Sequence, residues 1–173
     1  DFFGKEIHVY SPAYNLEEIK ELSKFCHKII FNSIQQLSLA VGLTENIKKP
    51  EFGLRVNPGY SSVSTSLYNP CSPSSRLGSI RSDLDKQLLI HQHNILDNIS
   101  GLHFHALCEE DSYALKETAL AFEENFKDLL PKINWVNFGG GHHITRPNYN
   151  LDILKEVIIY FKEKYNLQIY LEP

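Results

Sequence analysis

The residues best suited to chemistry are three consecutive glycines, Gly139, Gly140 and Gly141, which follow an apolar run. Without Cβ atoms, a backbone can approach an anion closely and point several N–H groups at it, and a phosphate is the usual anion. A tight turn that requires positive φ angles is the alternative interpretation. The glycines do not match the G-x-G-x-x-G dinucleotide pattern, because His142 and His143 follow them, and the chain has no G-K-[ST] loop.

Histidines form the second candidate group. His103 and His105 are two residues apart in a predicted strand, so their side chains should lie on the same side of the backbone. With His142 and His143 they could ligate a metal ion. The chain lacks the helical histidine spacing and the clustered cysteines that are typical of zinc sites, so packing and hydrogen bonding are favoured and no metal is expected. A flat imidazole at a strand end could also stack on an aromatic cofactor.

A carboxylate completes a recognisable set of groups. Glu172 ends an otherwise apolar strand, where it could pair with a ring nitrogen or a cation, or simply be solvated. Cys108 could be a reactive thiol or a phosphate contact, although a small buried residue is the default. Glycine amides, a flat side chain and a carboxylate are the parts of a pyridoxal phosphate pocket. The lysine that such a pocket needs for its Schiff base does not follow any predicted strand.

The elements that position these residues alternate between short apolar runs and longer amphipathic stretches. This alternation predicts a parallel α/β sheet with its working residues at the carboxyl ends of the strands, in either a doubly wound sheet or a (β/α)₈ barrel. A long Ser/Pro-rich loop over residues 58–78 is interpreted as functional or as a linker. The strands are predicted at 6–10, 28–32, 53–57, 102–105, 135–138 and 168–171, and the helices at about 15–26, 33–41, 82–98, 111–130 and 150–165.

Composition excludes several classes of protein. The formal net charge is −4 over 173 residues, which argues against a general grip on nucleic acid, and no apolar run approaches the length of a membrane span. Three cysteines without paired spacing fit reduced thiols in a cytoplasm. The chain begins at Asp1 and contains no methionine, so we expect an internal segment of a longer protein.

Four strings of residues resemble the carboxynorspermidine decarboxylase family of fold-type III pyridoxal phosphate enzymes. They are the Tyr68–Cys71 run with Ser75–Gly78, the Gly101–Glu109 run, the Trp135–Thr145 run and the Tyr170–Pro173 run. The His-Phe-His-Ala-Leu-Cys-Glu and Gly-Gly-Gly-His-His-Ile-Thr strings are far more specific than a glycine triplet alone. The resemblance extends along the whole chain from Lys5.

The resemblance implies an alanine racemase-type (β/α)₈ barrel, of which residues 1–173 would form a partial domain covering about strands 3 to 8. A C-terminal β-domain would lie outside this sequence, and the enzyme would be a homodimer. The implied reaction is the decarboxylation of carboxynorspermidine or carboxyspermidine to norspermidine or spermidine with pyridoxal phosphate. Alternatives are another fold-type III enzyme such as a diaminopimelate decarboxylase, a non-catalytic relative that binds the cofactor, and a histidine-based metal hydrolase.

Roles for individual residues follow from the same resemblance. It implies that His105 lies against the cofactor, that Glu172 pairs with the pyridine nitrogen, and that Arg55 supports the pocket. Cys108 and the amides of Gly139, Gly140 and Gly141 would lie at the phosphate, and His142 and His143 are expected to contact substrate. The Schiff-base lysine would precede Asp1 and the partner-subunit residues would follow Pro173, so residues 1–173 alone are expected to be inactive.

Overall fold

The computed structural model describes residues 6–44, 50–63, 68–72, 74–90 and 93–172. Its described residues contain six strands in one parallel sheet, in which each strand pairs with the next along the chain. A doubly wound sheet reverses its strand order at a switch point, whereas a barrel adds strands consecutively, so this order favours the barrel. The strands are β1 (His8–Tyr10), β2 (Lys28–Phe31), β3 (Glu51–Arg55), β4 (Ile99–His103), β5 (Trp135–Gly140) and β6 (Gln168–Glu172).

Five α-helices connect these strands, and most begin at a polar cap. The Asn15 side chain accepts from the Glu18 amide, while the Glu18 side chain accepts from the Asn15 amide, which forms a capping box. Asp111 and Asn150 cap their helices in the same region where the sequence predicted a start. The helices are α1 (Leu16–Leu22), α2 (Ile34–Leu43), α3 (Arg81–Ile90), α4 (Ser112–Phe126) and α5 (Leu151–Tyr165).

Several predicted boundaries were wrong; helix α1, for example, ends at Leu22 instead of near residue 26, and α4 ends at Phe126 instead of near residue 130. Helix α2 continues through Gly42, which does not have the positive φ of a terminating glycine, and ends at Leu43 with Thr44 as its C-cap, whose hydroxyl donates to the Ala40 carbonyl at 2.9 Å. Helix α3 ends at Ile90, and a 3-10 helix over His93–Asn98 follows in place of a continuous helix. Strand β4 ends at His103, so His105 lies beyond the strand.

The two faces of the sheet carry different side chains. The convex face packs against the helices through a continuous apolar core that includes Phe31, Leu54, Phe104 and Phe138. On the concave face, the indole of Trp135 lies across Gly101, where a Cβ atom would overlap the ring. Glycine is therefore required there by close packing, and not by a ligand.

The sheet is curled. The Tyr170 hydroxyl in β6 donates to Glu6 Oε2, just before β1, at 3.0 Å, so side chains from the first and last strands meet across the concave face. This curvature is that of part of a barrel, which confirms the predicted α/β barrel class. No helix in the described part of the chain is both long and apolar enough to cross a membrane.

The Ser/Pro-rich loop crosses the carboxyl end of the sheet. Among its described residues, the Ser61 hydroxyl donates to the Ala106 carbonyl at 2.7 Å, and the Pro58 carbonyl accepts from the Asn125 side chain at 2.9 Å. Asn32 donates to the Arg76 carbonyl at 2.8 Å, and its Oδ1 accepts from the Gly78 amide at 2.7 Å. These bonds attach the loop to the residue after β2, to α4 and to the segment after β4.

Candidate active site

Side chains from five of the six strands converge at the carboxyl end of the concave face. The fold places them together because parallel strands all end at the same edge of the sheet. Two of these residues, Tyr10 and Asn137, were not among the candidates from the sequence, since a tyrosine or asparagine in an apolar strand carries no distinctive pattern. The group comprises Tyr10, Arg55, His103, Asn137 and Glu172, with His105 just beyond β4.

Glu172 is the anionic centre of this group. Its Oε1 accepts from Asn137 Nδ2 at 2.7 Å, and its Oε2 lies 3.5 Å from His105 Nδ1. The neighbouring His105 ring lowers the pKa of Glu172 to about 2, and the hydrogen bond from Asn137 adds to this effect against the opposing influence of burial. Glu172 is therefore an ionised acceptor near neutral pH. Its side chain is still 45% exposed, so a bound molecule could reach it.

His103 lies beneath this carboxylate and is 1% exposed. Neither of its ring nitrogens has a hydrogen-bond partner among the described residues. Burial lowers the pKa of His103, with Arg55 and His105 acting in the same direction and Glu172 in the opposite one, so the ring is neutral. A buried polar group without a partner costs about 1 to 3 kcal/mol, and such groups in native proteins call for an explanation, such as a ligand or an ordered water.

Arg55 holds the segment that carries His105. Its Nη2 donates to the His105 carbonyl at 3.1 Å, and its guanidinium carbon lies 4.6 Å from the centre of the Tyr10 ring. The Tyr10 hydroxyl in turn donates to Asn32 Oδ1 at 2.9 Å. Arg55 is itself buried, so this chain of contacts fixes the backbone at His105 from inside the sheet.

The geometry of the three glycines agrees with the alternative interpretation, a tight turn that requires positive φ angles. Gly139 and Gly141 have φ angles of +65° and +86°, and a Cβ atom on any of the three glycines would overlap neighbouring backbone. The Gly139 amide donates to Asn137 Oδ1 at 2.8 Å. The turn therefore requires glycine whether or not a ligand is bound, and the role of its amides toward a phosphate stays a prediction.

The two histidines after this turn have different surroundings. His142 is 1% exposed and its Nδ1 lies 2.7 Å from the Tyr149 hydroxyl, whereas His143 is exposed. Cys108 is also exposed, so the default of a small buried residue was wrong for it. It follows Leu107, whose carbonyl lies close against Gly141, so the thiol is on the side of the site near the glycine turn.

The histidines do not form the four-residue group considered from the sequence. Instead, ligand-capable atoms of His103, His105 and Glu172 all lie within 4.8 Å of one another. Two imidazoles and one carboxylate suit a transition metal in their chemistry, although Arg55 beside them opposes a second cation. Neither His142 nor His143 belongs to this cluster.

Known proteins resemble the chain over its whole length. It is 42% identical to a carboxynorspermidine/carboxyspermidine decarboxylase of Campylobacter jejuni subsp. jejuni, over 100% of the chain and 43% of that protein. It is 38% identical to a carboxyaminopropylagmatine decarboxylase of Synechocystis sp., over 99% of the chain and 42% of that protein. The chain thus spans less than half the length of these curated relatives. No family model matches it.

Solved structures give the same result. A crystal structure of carboxynorspermidine decarboxylase from Campylobacter jejuni, complexed with norspermidine, superposes with a TM-score of 0.81 at 40% identity, over 99% of this chain and 41% of that one. A diaminopimelate decarboxylase from Helicobacter pylori has a TM-score of 0.74 at 15% identity, over 96% of this chain and 45% of that one, and so supports the fold alone. The predicted resemblance to the carboxynorspermidine decarboxylase family is confirmed.

Proposed function

We propose that this chain forms the cofactor-binding part of a pyridoxal phosphate-dependent decarboxylase that acts on carboxynorspermidine or carboxyspermidine. One observation carries the proposal: an ionised carboxylate, Glu172, is held beside the half-exposed His105 ring at the carboxyl end of the sheet. The reaction and substrates are inferred from relatives that are 38% to 42% identical over nearly the whole chain.

The described residues fit pyridoxal phosphate in three respects. Glu172 offers an anion for a protonated ring nitrogen, and His105 offers a flat face of ring size. The buried nitrogens of His103, which lack a partner among the described residues, belong to a ring that lies next to the His105 ring. The glycine turn is a further feature, in which the amides of Gly140 and Gly141 remain candidates for a phosphate although the Gly139 amide donates to Asn137.

When bound, pyridoxal phosphate would accept the electron pair left on the α carbon of an amino acid when its carboxylate departs as CO₂. This role requires a proton on the ring nitrogen of the cofactor. Because the pKa of Glu172 is low, its carboxylate is negatively charged and would stabilise that proton. Asn137 orients Glu172 through the 2.7 Å bond to Oε1. Arg55 fixes the backbone of His105, so that its ring can cover the cofactor face.

The Schiff-base lysine is assigned to sequence outside residues 1–173. No described lysine lies at the carboxyl end of a strand, and Lys28, which faces the concave side, is at the start of β2 and thus at the opposite end of the sheet. We infer that the chain is a partial barrel domain covering about strands 3 to 8. The homodimer, the cytoplasmic location and the substrate contacts of His143 are part of the same proposal.

The test uses the full-length protein as the cell makes it. We expect bound pyridoxal phosphate and release of CO₂ from carboxynorspermidine or carboxyspermidine. Carboxyaminopropylagmatine and diaminopimelate serve as competing substrates in the same assay. Faster release from diaminopimelate would favour the alternative enzyme, and cofactor binding without turnover of any of the four would identify a non-catalytic relative.

The cluster of His103, His105 and Glu172 favours one second candidate, a metal-dependent hydrolase. The two functions use the same three side chains, so they exclude each other. Addition of Zn²⁺ to protein freed of cofactor, followed by chelation, separates them. Hydrolase activity that is lost on chelation would support the metal, whereas decarboxylation that survives chelation would support the cofactor.

A further inference from the structure

A buried hydrogen bond lies directly behind the glycine turn. His142 follows Gly141, and its Nδ1 lies 2.7 Å from the hydroxyl of Tyr149, seven residues along the chain. The two rings are 5.8 Å apart, and both residues are buried, at 1% and 8% exposure. Tyr149 directly precedes Asn150, the cap of α5, so this contact joins the end of β5 to the start of the next helix.

The same turn is held from its other side by the segment after β4. The Glu110 amide donates to the Gly141 carbonyl at 3.0 Å, and the Glu110 carbonyl accepts from the His143 amide at 3.4 Å. Gly141 is therefore fixed between this bridge and the His142 side chain. Its φ of +86° lies in a region where glycine has several conformations of similar energy, so contacts on both sides are needed to select one.

We propose that His142 and Tyr149 form a buried strut that holds the Gly139–Gly141 turn in the conformation that binds the cofactor phosphate. This inference rests on the proposed function. His142 is then a positioning residue that acts through the turn, in place of the substrate contact expected from the sequence.

Burial supports this assignment over a direct contact with substrate. The second ring nitrogen of His142, Nε2, is buried and has no hydrogen-bond partner among the described residues, so solvent does not reach either nitrogen. Burial also lowers the pKa of His142, with His105 and His143 acting in the same direction, so the ring is neutral. A neutral, enclosed imidazole can orient a neighbouring backbone segment but cannot supply charge to a ligand in solvent.

The decisive variant is Tyr149→Phe, which removes one hydroxyl and leaves the ring packing in place. Tyr165→Phe is the matched control, because it removes a hydroxyl at the far end of α5 that bonds to Glu123 on α4. Equilibrium dialysis of the full-length protein measures the affinity for pyridoxal phosphate and, separately, for pyridoxal, which lacks the phosphate. The ratio of the two affinities isolates the contribution of the phosphate.

We expect Tyr149→Phe to reduce affinity for pyridoxal phosphate about tenfold, the equivalent of one lost hydrogen bond, and to leave pyridoxal binding unchanged. Tyr165→Phe should change neither affinity. An equal loss for both ligands, or no loss for either, would overturn the strut while leaving the proposed function intact. Failure of the unsubstituted protein to bind pyridoxal phosphate would overturn both.

Discussion

The two ends of the concave face differ in whether their buried ionisable side chains have polar partners. At the amino end, Lys28 Nζ lies 3.3 Å from Glu6 and 3.7 Å from Glu51, and 5.3 Å from the centre of the Tyr170 ring. At the carboxyl end, His103 is equally enclosed, yet neither of its nitrogens has a partner among the described residues. We call these groups the amino-end cluster (Glu6, Lys28, Glu51, Trp135 and Tyr170) and the carboxyl-end cluster (Arg55, His103, His105, Asn137 and Glu172).

The difference separates stability from function. Burial alone would lower the pKa of Lys28, but Tyr170, Glu51 and Glu6 more than offset it, so the pKa is raised and the lysine stays charged. Glu51 also accepts from the Trp135 indole at 2.8 Å. The amino-end cluster is complete without a ligand, although a groove of about 840 Å³ opens beside it. The carboxyl-end cluster is incomplete, as expected of a binding site, which must leave groups free for what it binds.

The largest expected effect is loss of catalysis when the charge of Glu172 is removed. Glu172→Gln keeps an oxygen for Asn137 but no longer favours a proton on the cofactor nitrogen. We expect kcat for decarboxylation to fall about 100-fold or more, while the cofactor still binds. The control is Glu51→Gln in the amino-end cluster, which should change kcat little. An equal fall in kcat in the two variants would show that the carboxyl-end cluster is no more important for catalysis than the amino-end cluster.

The next effect concerns stability at the amino end. Lys28→Met retains the apolar stem but leaves Glu6 and Glu51 without their cation, and both carboxylates are near half-exposed, so water offsets part of the cost. We expect the free energy of unfolding to fall by about 1 to 2 kcal/mol, measured by urea denaturation of the cofactor-free protein. An unchanged unfolding midpoint would show that the ion pairs contribute nothing.

His103→Leu should act with the opposite sign. It removes two buried nitrogens that lack partners in the described structure and replaces the ring with an apolar side chain of similar size. We expect the cofactor-free protein to gain about 1 kcal/mol of stability and to bind pyridoxal phosphate more weakly. His142→Leu is the matched control, because it leaves the buried Tyr149 hydroxyl unpaired and should lose stability. Destabilisation by His103→Leu would mean that its nitrogens have partners in solution.

The smallest effect is a change in pH dependence. The pKa of His103 is below its ordinary value in the folded protein, so the unfolded chain binds the extra proton as pH falls below about 6.5. Stability present above that pH is therefore lost toward lower pH. The unfolding midpoint of His103→Leu should fall less between pH 7 and pH 4 than that of the unsubstituted protein. Parallel pH profiles would contradict the buried neutral state of this ring.

The sequence predicted the order of strands and helices because hydrophobic periodicity and polar caps such as Asn15 and Asn150 are local signals. It also placed Glu172 and His105 at predicted strand ends, since a polar residue that ends an apolar strand is visible in the sequence, whereas Arg55 was expected in the site only from the resemblance. Their roles toward a cofactor stay predictions. The contacts that connect them could not be predicted, because they depend on which strand ends face one another.

Other features of the site depended on packing rather than pattern. Asn137 lies within an apolar strand, and the pairing of β5 with β6, with a register shift between Asn137 and Gly140, brings its amide to Glu172. Burial of His142 depends on Tyr149, which a sequence pattern places in a loop. The glycine turn is the clearest example of what a sequence pattern cannot predict, because the absence of three Cβ atoms makes room for backbone of the chain itself. Spacing alone cannot distinguish that requirement from a ligand's.

The contact between Tyr170 and Glu6 has a consequence for folding kinetics. It joins residues 164 positions apart, whereas each strand pairs with the next along the chain, so this contact closes a far longer chain segment than any strand pairing and is expected to form late. Strand β6 carries both Tyr170 and Glu172. We therefore expect the carboxylate to reach His105 only in the last folding step, so that intermediates with β1 to β5 in place have no cofactor affinity.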